Sequence, residues 1–350
     1  MLLDVTLRQM NIDDGSAINT LAAQCPDKGL ISVYSVYRDN ALESLQALRP
    51  NTVSVAAEVS GHDGLIGMAQ VSFDQCRIEG GMIPCALFNT LMVHPDFRRQ
   101  GVARRLSEWS MEQARLRFGD KGVMMADIQM GNKASDRTVK KWCNQVLPPF
   151  MVAPVSLKNR PPVVFSGIRI GAVEPGALAE FADRLNIFYE GHNFYKPETA
   201  DSLSAWLEER PFGLPIHHCL AARDLQGNLL AGLTLEEAHQ LRTYHVVHMP
   251  PWIRMVNKLL HAVPADGILR HIQVGRIWFR PGQLAAARHL WESVRWLWRR
   301  RGTSLMVFFD GRSPVASVIN LKPWSIKTVM NTVVKSPVPI RESRFIYPIS

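Results

Sequence analysis

The chain has 350 residues, 47% of them apolar and 20% charged, and an excess of basic side chains gives a net charge of +9. This is the composition of a globular protein long enough for two domains. No run of about 18 uncharged apolar residues occurs, so the sequence predicts no membrane-spanning helix. Five cysteines without Cys-x-x-Cys spacing argue against a disulfide framework and a zinc site. The N-terminus lacks the pattern of a secretory signal, so we expect a cytoplasmic location.

The first half of the chain predicts one unit in which strands and helices alternate. The predicted strands cover residues 4–10, 52–60, 65–79, 84–93, 123–130 and 150–157. The predicted helices cover residues 14–24, with Asp14 as the cap, 39–48, 100–118 and 132–145. The helix over 100–118 places Val102, Leu106, Trp109 and Leu116 near one face and ends at Gly119.

The turn between the strand ending at Val93 and the helix after it is suited to binding phosphate. The first backbone N–H groups of a helix have no partner within the helix and lie at the positive end of its dipole, so they can bind a pyrophosphate directly. Gly101 and Ala103 are small and let an anion approach, while Arg98, Arg99 and Arg104 add positive charge. This turn predicts a nucleotide-bearing ligand.

The segment Arg98-Arg99-Gln100-Gly101-Val102-Ala103 resembles the acyl-CoA-binding motif of the GNAT superfamily of N-acetyltransferases. The resemblance covers residues 1–160 and implies a mixed, mostly antiparallel sheet flanked by helices. It implies that acetyl-CoA, or another acyl-CoA, is the co-substrate. The implied cofactor-binding residues are Leu91, Met92 and Val93 for pantetheine, Arg98, Arg99, Gln100, Gly101, Val102 and Ala103 for the pyrophosphate, and Asn132 on the other side.

Two departures from the family pattern concern catalysis. Val139 stands where many members carry a tyrosine as general acid, and the strand before the phosphate turn has no carboxylate. A thiolate is a tolerable leaving group, and water held by polar side chains can relay a proton. Our candidate relays are Glu58, Glu79, Asn89 and Asp127, and no metal is needed.

The second half of the chain repeats the plan after Pro161 and Pro162. The predicted strands are 163–170, 218–225, 228–235, 272–279 and 305–309, and the predicted helices are 175–189, 200–209, 252–262 and 284–300. Pro281-Gly282-Gln283 occupies the place of the phosphate turn without its spacing. We therefore predict two domains, a GNAT acyl-CoA-binding domain over 1–160 and a degenerate GNAT-like domain over 161–350. This tandem layout resembles the hookless-type probable N-acetyltransferases.

Three functions remain open from the sequence. The favoured one is transfer of acetyl from acetyl-CoA to an unknown amine, a small molecule or a protein, with the second domain shaping the acceptor cleft. The alternative is a non-catalytic acyl-CoA-binding regulatory protein. The third, nucleic-acid binding by the basic helix end at 295–301, is the weakest, because cations complement a helix C-terminus and no nucleic-acid motif is found. We expect neither a membrane nor nucleic acid as a partner.

Overall fold

The computed structural model describes residues 4–29, 31–163, 165–260 and 263–349. Its α-helices are α1 (Gly15–Gln24), α2 (Ala41–Leu48), α3 (Val102–Phe118), α4 (Lys133–Val139), α5 (Leu178–Phe188), α6 (Ala200–Glu208), α7 (Pro251–Leu260), α8 (Leu284–Leu297) and α9 (Val315–Ile319). Its strands in the first half are β1 (Val5–Gln9), β2 (Asp27–Lys28), β3 (Ser32–Tyr37), β4 (Thr52–Val59), β5 (Gly67–Ile78), β6 (Gly81–Val93), β7 (Val123–Gln129), β8 (Gln145–Val146) and β9 (Phe150–Ser156). Those in the second half are β10 (Arg169–Ala172), β11 (His192–Asn193), β12 (His217–Arg223), β13 (Leu229–Glu236), β14 (Arg242–His248), β15 (Ile268–Leu269), β16 (His271–Phe279), β17 (Ser304–Phe309), β18 (Thr328–Lys335) and β19 (Phe345–Ile346).

One large sheet runs through the described part of the chain, in the order β1-β4-β5-β6-β7-β18-β9-β17-β16-β13-β12-β10. Neighbouring strands are antiparallel except for the parallel pairs β6/β7 and β16/β17. The predicted class, a mixed and mostly antiparallel sheet flanked by helices, is thus confirmed. We call β1-β4-β5-β6-β7-β18 the first half-sheet and β10-β12-β13-β16-β17-β9 the second half-sheet.

The two half-sheets exchange a strand at the centre of the sheet. β9 pairs with β17 of the second half-sheet, and β18 pairs with β7 of the first. β18 and β9 also pair with each other through Thr328 to Met330. The division at residue 160 stays a prediction, and β9 and β18 each lie across it from the strands beside them.

Helices cover both faces of the first half-sheet because its strands carry apolar side chains on both faces. On one face α3 presents buried Val102, Leu106 and Ala114, spaced four or eight residues apart as a helical stripe requires. On the opposite face α1 and α2 pack in one cluster with Ala56 and Met68. In the second half-sheet, the largest core cluster includes Phe181, Trp278 and Trp291.

A separate four-stranded sheet, β15-β14-β3-β2, joins the two halves of the chain. Its central pair, β3 and β14, sets Tyr37 opposite Arg242 and Tyr34 opposite His245. The loop between α1 and α2 is therefore held by a segment more than 200 residues later in the chain.

Several predicted elements differ from the structure. The helix predicted over 132–145 ends at Val139, and the strand predicted over 163–170 is instead β10, which begins at Arg169. The helix predicted to 262 is described as α7 to Leu260, and residues 261 and 262 lie outside the described part. Asp14 is the N-cap residue of α1, but its side chain makes no hydrogen bond to that helix; its carboxylate pairs with Arg8 and accepts from the Asn11 N–H in the turn before α1. Leu116 is 72% exposed, since the apolar stripe of α3 follows residues 102, 106 and 114 instead.

Candidate acyl-CoA site and acceptor cleft

The parallel strands β6 and β7 separate part of the way along their length. Their pairing runs from Cys85 opposite Val123 to Leu87 opposite Met125. Beyond that point β6 continues along β5 to Val93, and β7 continues along β18 to Gln129. Within the described chain, the edge of β6 over residues 88–93 therefore has no partner strand on its β7 side. The two strands form a V-shaped opening whose walls are the free edge of β6 and the end of β7.

A bulge in β6 sets which backbone groups face this opening. Thr90 has a φ of +52°, and the register with β5 shifts between Met68 and Gln70. The Met92 carbonyl points toward β5, 2.9 Å from where a Cβ on Gly67 would stand. Since backbone groups alternate in direction along an antiparallel strand, those of Leu91 and Val93 point into the opening.

The Val93 carbonyl is already engaged by two side chains. It accepts hydrogen bonds from Arg98 Nε at 3.0 Å and from Cys25 Sγ at 3.3 Å. The Nε atom of Arg98 therefore holds the end of the strand in place. Of the three predicted strand residues, Leu91 offers the freest backbone edge.

The predicted phosphate turn connects this edge to α3. Arg99 and Gly101 both have positive φ, +64° and +89°, and α3 begins at Val102 with no side-chain cap. The backbone N–H groups of residues 99–104 have no acceptor among the described residues. A Cβ on Gly101 would meet nothing within 4 Å, so the space beside this residue is open. The Gln100 amide donates to the Asp96 carbonyl at 2.8 Å and braces the turn.

Asn132 lies beyond the end of β7, on the opposite wall of the opening. Its side-chain oxygen accepts from the Ser135 N–H at 3.2 Å and caps α4. Val139, at the other end of α4, is 8% exposed and belongs to an apolar cluster with Phe88 and Trp142. The position that many family members give to a tyrosine is therefore a core position in this chain.

Two of the predicted carboxylates lie away from the opening. Glu58, on β4, is two strands from β6 and pairs with Arg8 at 2.7 Å. Glu79, at the turn between β5 and β6, accepts from Asn193 Nδ2 at 3.1 Å and from the Arg341 N–H at 2.9 Å. It lies ten residues, roughly 30 Å of extended strand, from Asn89. Both carboxylates hold local structure together.

Asp127 does lie in the opening. It follows the last β6/β7 pair by two residues on β7, and its Oδ1 accepts from Thr332 Oγ1 on β18 at 2.6 Å. The side chain is partly buried. Burial raises the pKa of Asp127 to about 6, against the opposing effects of the Thr332 hydroxyl and the Arg49 charge. A carboxyl with this pKa is mostly ionised at neutral pH and can accept a proton.

Polar side chains cover the same face of the sheet beside Asp127. Asn89 donates to Ser72 Oγ at 2.9 Å and accepts from Thr90 Oγ1 at 2.9 Å. Gln70 donates to Ser54 Oγ at 2.9 Å. The structure thus brings two of the four predicted relays, Asn89 and Asp127, to the opening.

Residues that the sequence did not single out complete the cleft above this polar face. Glu236 ends β13, Arg242 begins β14, and the Arg242 guanidinium carbon lies 5.0 Å from the centre of the Tyr244 ring. Burial raises the pKa of Glu236 to about 7. Arg49 follows α2, and its charge acts on both Asp127 and Glu236. The sequence does carry a signal for the strands that hold these residues, because β-branched and aromatic residues are frequent in Ser32–Tyr37 and Arg242–His248. The two segments pair with each other although they lie far apart in the chain.

The second half-sheet contains a similar separation of parallel strands, but C-terminal residues line it. β16 and β17 pair as far as Val274 opposite Val307, and Arg276, with a φ of +48°, marks a bulge like that at Thr90. The C-terminal residues 346–348 line the same cavity, and the Ile346 N–H donates to Asp310 Oδ2 at 2.9 Å. The connection from strand to helix spans residues 280–283, four residues, against the eight of 94–101 in the first half-sheet.

Comparisons with known proteins agree with this geometry. Residues 18–144 match the family model "Acetyltransferase (GNAT) family". The fold is similar to Saccharomyces cerevisiae N-myristoyltransferase with bound myristoyl-CoA, at a TM-score of 0.66 and 8% identity over 95% of this chain and 83% of that one. It is also similar to a GCN5-related N-acetyltransferase from Sphaerobacter thermophilus (TM-score 0.61, 16% identity, 98% and 99%) and to one from Kribbella flavida (0.52, 14%, 95% and 71%).

Comparison with curated protein sequences gave no match. No helix in the part of the chain described here is long and apolar enough to cross a bilayer. The matched segment, residues 18–144, contains α3, the phosphate turn and the β6/β7 opening. Residues 18–144 therefore match the GNAT acetyltransferase family, and the fold of the chain is similar to those of the two GCN5-related N-acetyltransferases and of the N-myristoyltransferase.

Proposed function

We propose that this chain is an acyl-CoA-dependent N-acyltransferase that uses acetyl-CoA and an amine acceptor. The observation that carries the proposal is the continuous path from the open edge of β6 to the uncapped start of α3. The free backbone of Leu91 matches an extended amide chain such as pantetheine, and the N–H groups from Arg99 to Ala103 match a pyrophosphate. Asn132 lies on the other wall. Its side-chain oxygen caps α4, and its amide nitrogen takes no part in that cap.

The proposed chemical step is direct attack of the amine on the thioester. A C–N bond forms, the C–S bond breaks, and CoA leaves as a thiolate that is protonated from water. Asp127 accepts the proton that the amine loses, because its carboxylate lies in the opening with a pKa of about 6. No tyrosine acid takes part, since Val139 is packed in the core.

We propose acetyl as the acyl group because the side chains at the inner end of the opening are polar. Asn89, Thr90, Gln70 and Asp127 offer hydrogen-bonding groups there. A long hydrocarbon chain would bury these groups without partners, which costs free energy. A cytoplasmic setting is proposed with it, in keeping with five cysteines that are all free thiols.

A non-catalytic acyl-CoA-binding regulator is the second candidate. The observation that favours it is the absence of a general acid at Val139, together with the distance of Glu58 and Glu79 from the opening. In that case the site would bind acyl-CoA without passing its acyl group to an acceptor.

Incubation with radiolabelled acetyl-CoA and a fractionated cell extract tests the proposal. We expect label in one fraction with the parent protein and none with the folded Gly101→Trp variant, whose side chain would fill the anion site. Myristoyl-CoA offered in parallel should give less product than acetyl-CoA. Tight acetyl-CoA binding by calorimetry with no labelled product in any fraction would favour the regulator.

A further inference from the structure

Charged side chains from five separate elements or connections surround the acceptor side of the opening. We call them the charged cleft, and they are Asp27, Arg49, Asp127, Glu236 and Arg242. The charge of Arg49 acts on Asp127 and Glu236, and that of Arg242 acts on Asp27 and Glu236. The β3/β14 pairing fixes Arg242 opposite Tyr37, just before α2, and Arg49 follows the end of α2. The cleft therefore depends on both halves of the chain.

The charges in this cleft are not paired with one another. Among the described residues, no carboxylate oxygen lies within the 4.0 Å ion-pair distance of the Arg49 or Arg242 guanidinium. The Arg242 Nε atom is buried and has no hydrogen-bond partner. Arg276, which is also part-buried, is paired closely with Glu198 at 2.7 Å.

Leaving these groups unpaired costs free energy. Burial raises the pKa of the Asp127 and Glu236 carboxyls, whereas it lowers that of the Arg49 guanidinium, which Arg242 also repels. A desolvated charge without a direct partner is unfavourable. The side chains of Arg49, Asp127, Glu236 and Arg242 still keep some exposed surface, so a solute can reach them. A ligand that carries both a positive and a negative group could pair with the carboxylates and with the arginines at the same time.

We propose that the charged cleft binds a zwitterionic acceptor, whose carboxylate contacts Arg49 and Arg242 while its amine faces Asp127. The planar guanidinium group binds a carboxylate through two parallel hydrogen bonds, which fixes its orientation. The Tyr244 and His271 rings, 5.5 Å apart, lie on the β14 side of the cleft. The acceptor class is thus an α-amino acid with an apolar or aromatic side chain. This inference rests on the proposed function.

The test compares L-phenylalanine with L-phenylalaninamide as acceptors. The amide keeps the ring and the amine and loses only the negative charge. The amine of the amide is the less basic of the two, so more of it is in the reactive neutral form. Amine reactivity alone would therefore favour the amide, and a preference for the amino acid must come from its carboxylate. We expect the parent to favour phenylalanine in kcat/KM by at least about tenfold, the typical effect of a charged hydrogen bond.

Arg242→Gln and Arg49→Gln should each reduce that preference by about tenfold to a hundredfold, with acetyl-CoA affinity unchanged by calorimetry. Arg242→Lys and Arg49→Lys, which keep the charge, should restore part of it and also serve if a glutamine variant fails to fold. Arg169→Gln, an exposed site on β10, is the matched control and should behave as the parent.

A parent that acylates both compounds equally, or arginine variants that retain the preference, would overturn the zwitterion proposal while leaving the acyltransferase function in place. If the parent acylates no amine but binds phenylalanine more tightly than the arginine variants do, the proposed function fails and the binding site stands. A stronger preference for phosphoethanolamine over ethanolamine than for phenylalanine over its amide would exclude a carboxylate as the natural anion.

Discussion

Replacing Asp127 by asparagine should have opposite effects on stability and on turnover. The two side chains have nearly the same shape, and the asparagine oxygen can still accept the 2.6 Å hydrogen bond from Thr332. The substitution removes the negative charge of the partly buried Asp127 carboxylate. We therefore expect a variant that is more stable than the parent and much less active.

The size of the stability change follows from the pKa. Burial raises the pKa of Asp127 from 3.8 to about 6, so between these values the folded protein holds a proton that the unfolded chain has released. The free energy of unfolding then falls as the pH rises through this window and is lowest above it. Two pKa units correspond to about 3 kcal/mol, an upper limit because the side chain keeps some contact with water. Asp127→Asn should therefore match the parent near pH 4 and exceed its stability by about 2–3 kcal/mol near pH 8.

Urea denaturation at several pH values measures this difference, with Asp63→Asn, in an exposed loop, as the control that should show no such trend. The same preparations serve for kinetics at saturating acetyl-CoA. Turnover of Asp127→Asn should fall by about a hundredfold or more, without loss of acetyl-CoA affinity. In the parent, turnover should rise with pH through about 6 as the Asp127 carboxyl ionises.

A stability difference that is absent, or the same at every pH, would refute the burial argument. A pH-dependent gain in stability with turnover retained would show that Asp127 is buried as described but is not the base. Water or Asn89 would then be left as the relay.

Three further predictions concern the neighbouring residues and the turn. Thr332→Val removes the hydroxyl that lowers the pKa of Asp127, so the rise in turnover should move to higher pH by up to about one unit, whereas Thr332→Ser should not move it. An unmoved profile in the valine variant would contradict this. Gly101→Ala and Gly227→Ala start from the same φ of +89° with open space around the new methyl group, so each should lose about 1 kcal/mol of stability. By calorimetry only the first should bind acetyl-CoA less tightly, by about tenfold or more, and equal affinities would remove the pyrophosphate from Gly101. Titration should give one CoA per chain because residues 346–348 line the cavity between β16 and β17, where the Ile346 N–H donates to Asp310, and a ratio of two would contradict this expectation.

Local pattern was enough to identify the family and the class of fold. The turn from Arg98 to Ala103, placed between an apolar strand and an amphipathic helix, led to the GNAT resemblance that the family match over residues 18–144 confirms. The mixed, mostly antiparallel sheet was confirmed as well. These features follow from residues that are neighbours in the chain, where backbone conformation and side-chain periodicity act directly.

Local sequence pattern could not predict which of the candidate carboxylates lies in the opening. Glu58, Glu79 and Asp127 are equivalent in the sequence, each an acidic residue in or next to a predicted strand. Their surroundings differ because Arg8 pairs with the first, Asn193 and the Arg341 backbone bind the second, and the opening between β6 and β7 surrounds the third. Partners from distant parts of the chain decide which carboxylate is free to react.

The sequence by itself was enough to predict a phosphate-binding turn from Arg98 to Ala103 and the family of the matched domain, and it places a valine at position 139. Only the tertiary structure decided that β9 and β18 change places at the centre of the sheet, that residues 346–348 line the cavity between β16 and β17, and that Arg242 faces the same cleft as Asp127. The physical reason is the distance along the chain between the residues that set each feature. Strand register and helix ends depend on neighbouring residues, whereas burial and unpaired charge depend on groups that meet only when remote segments pack together.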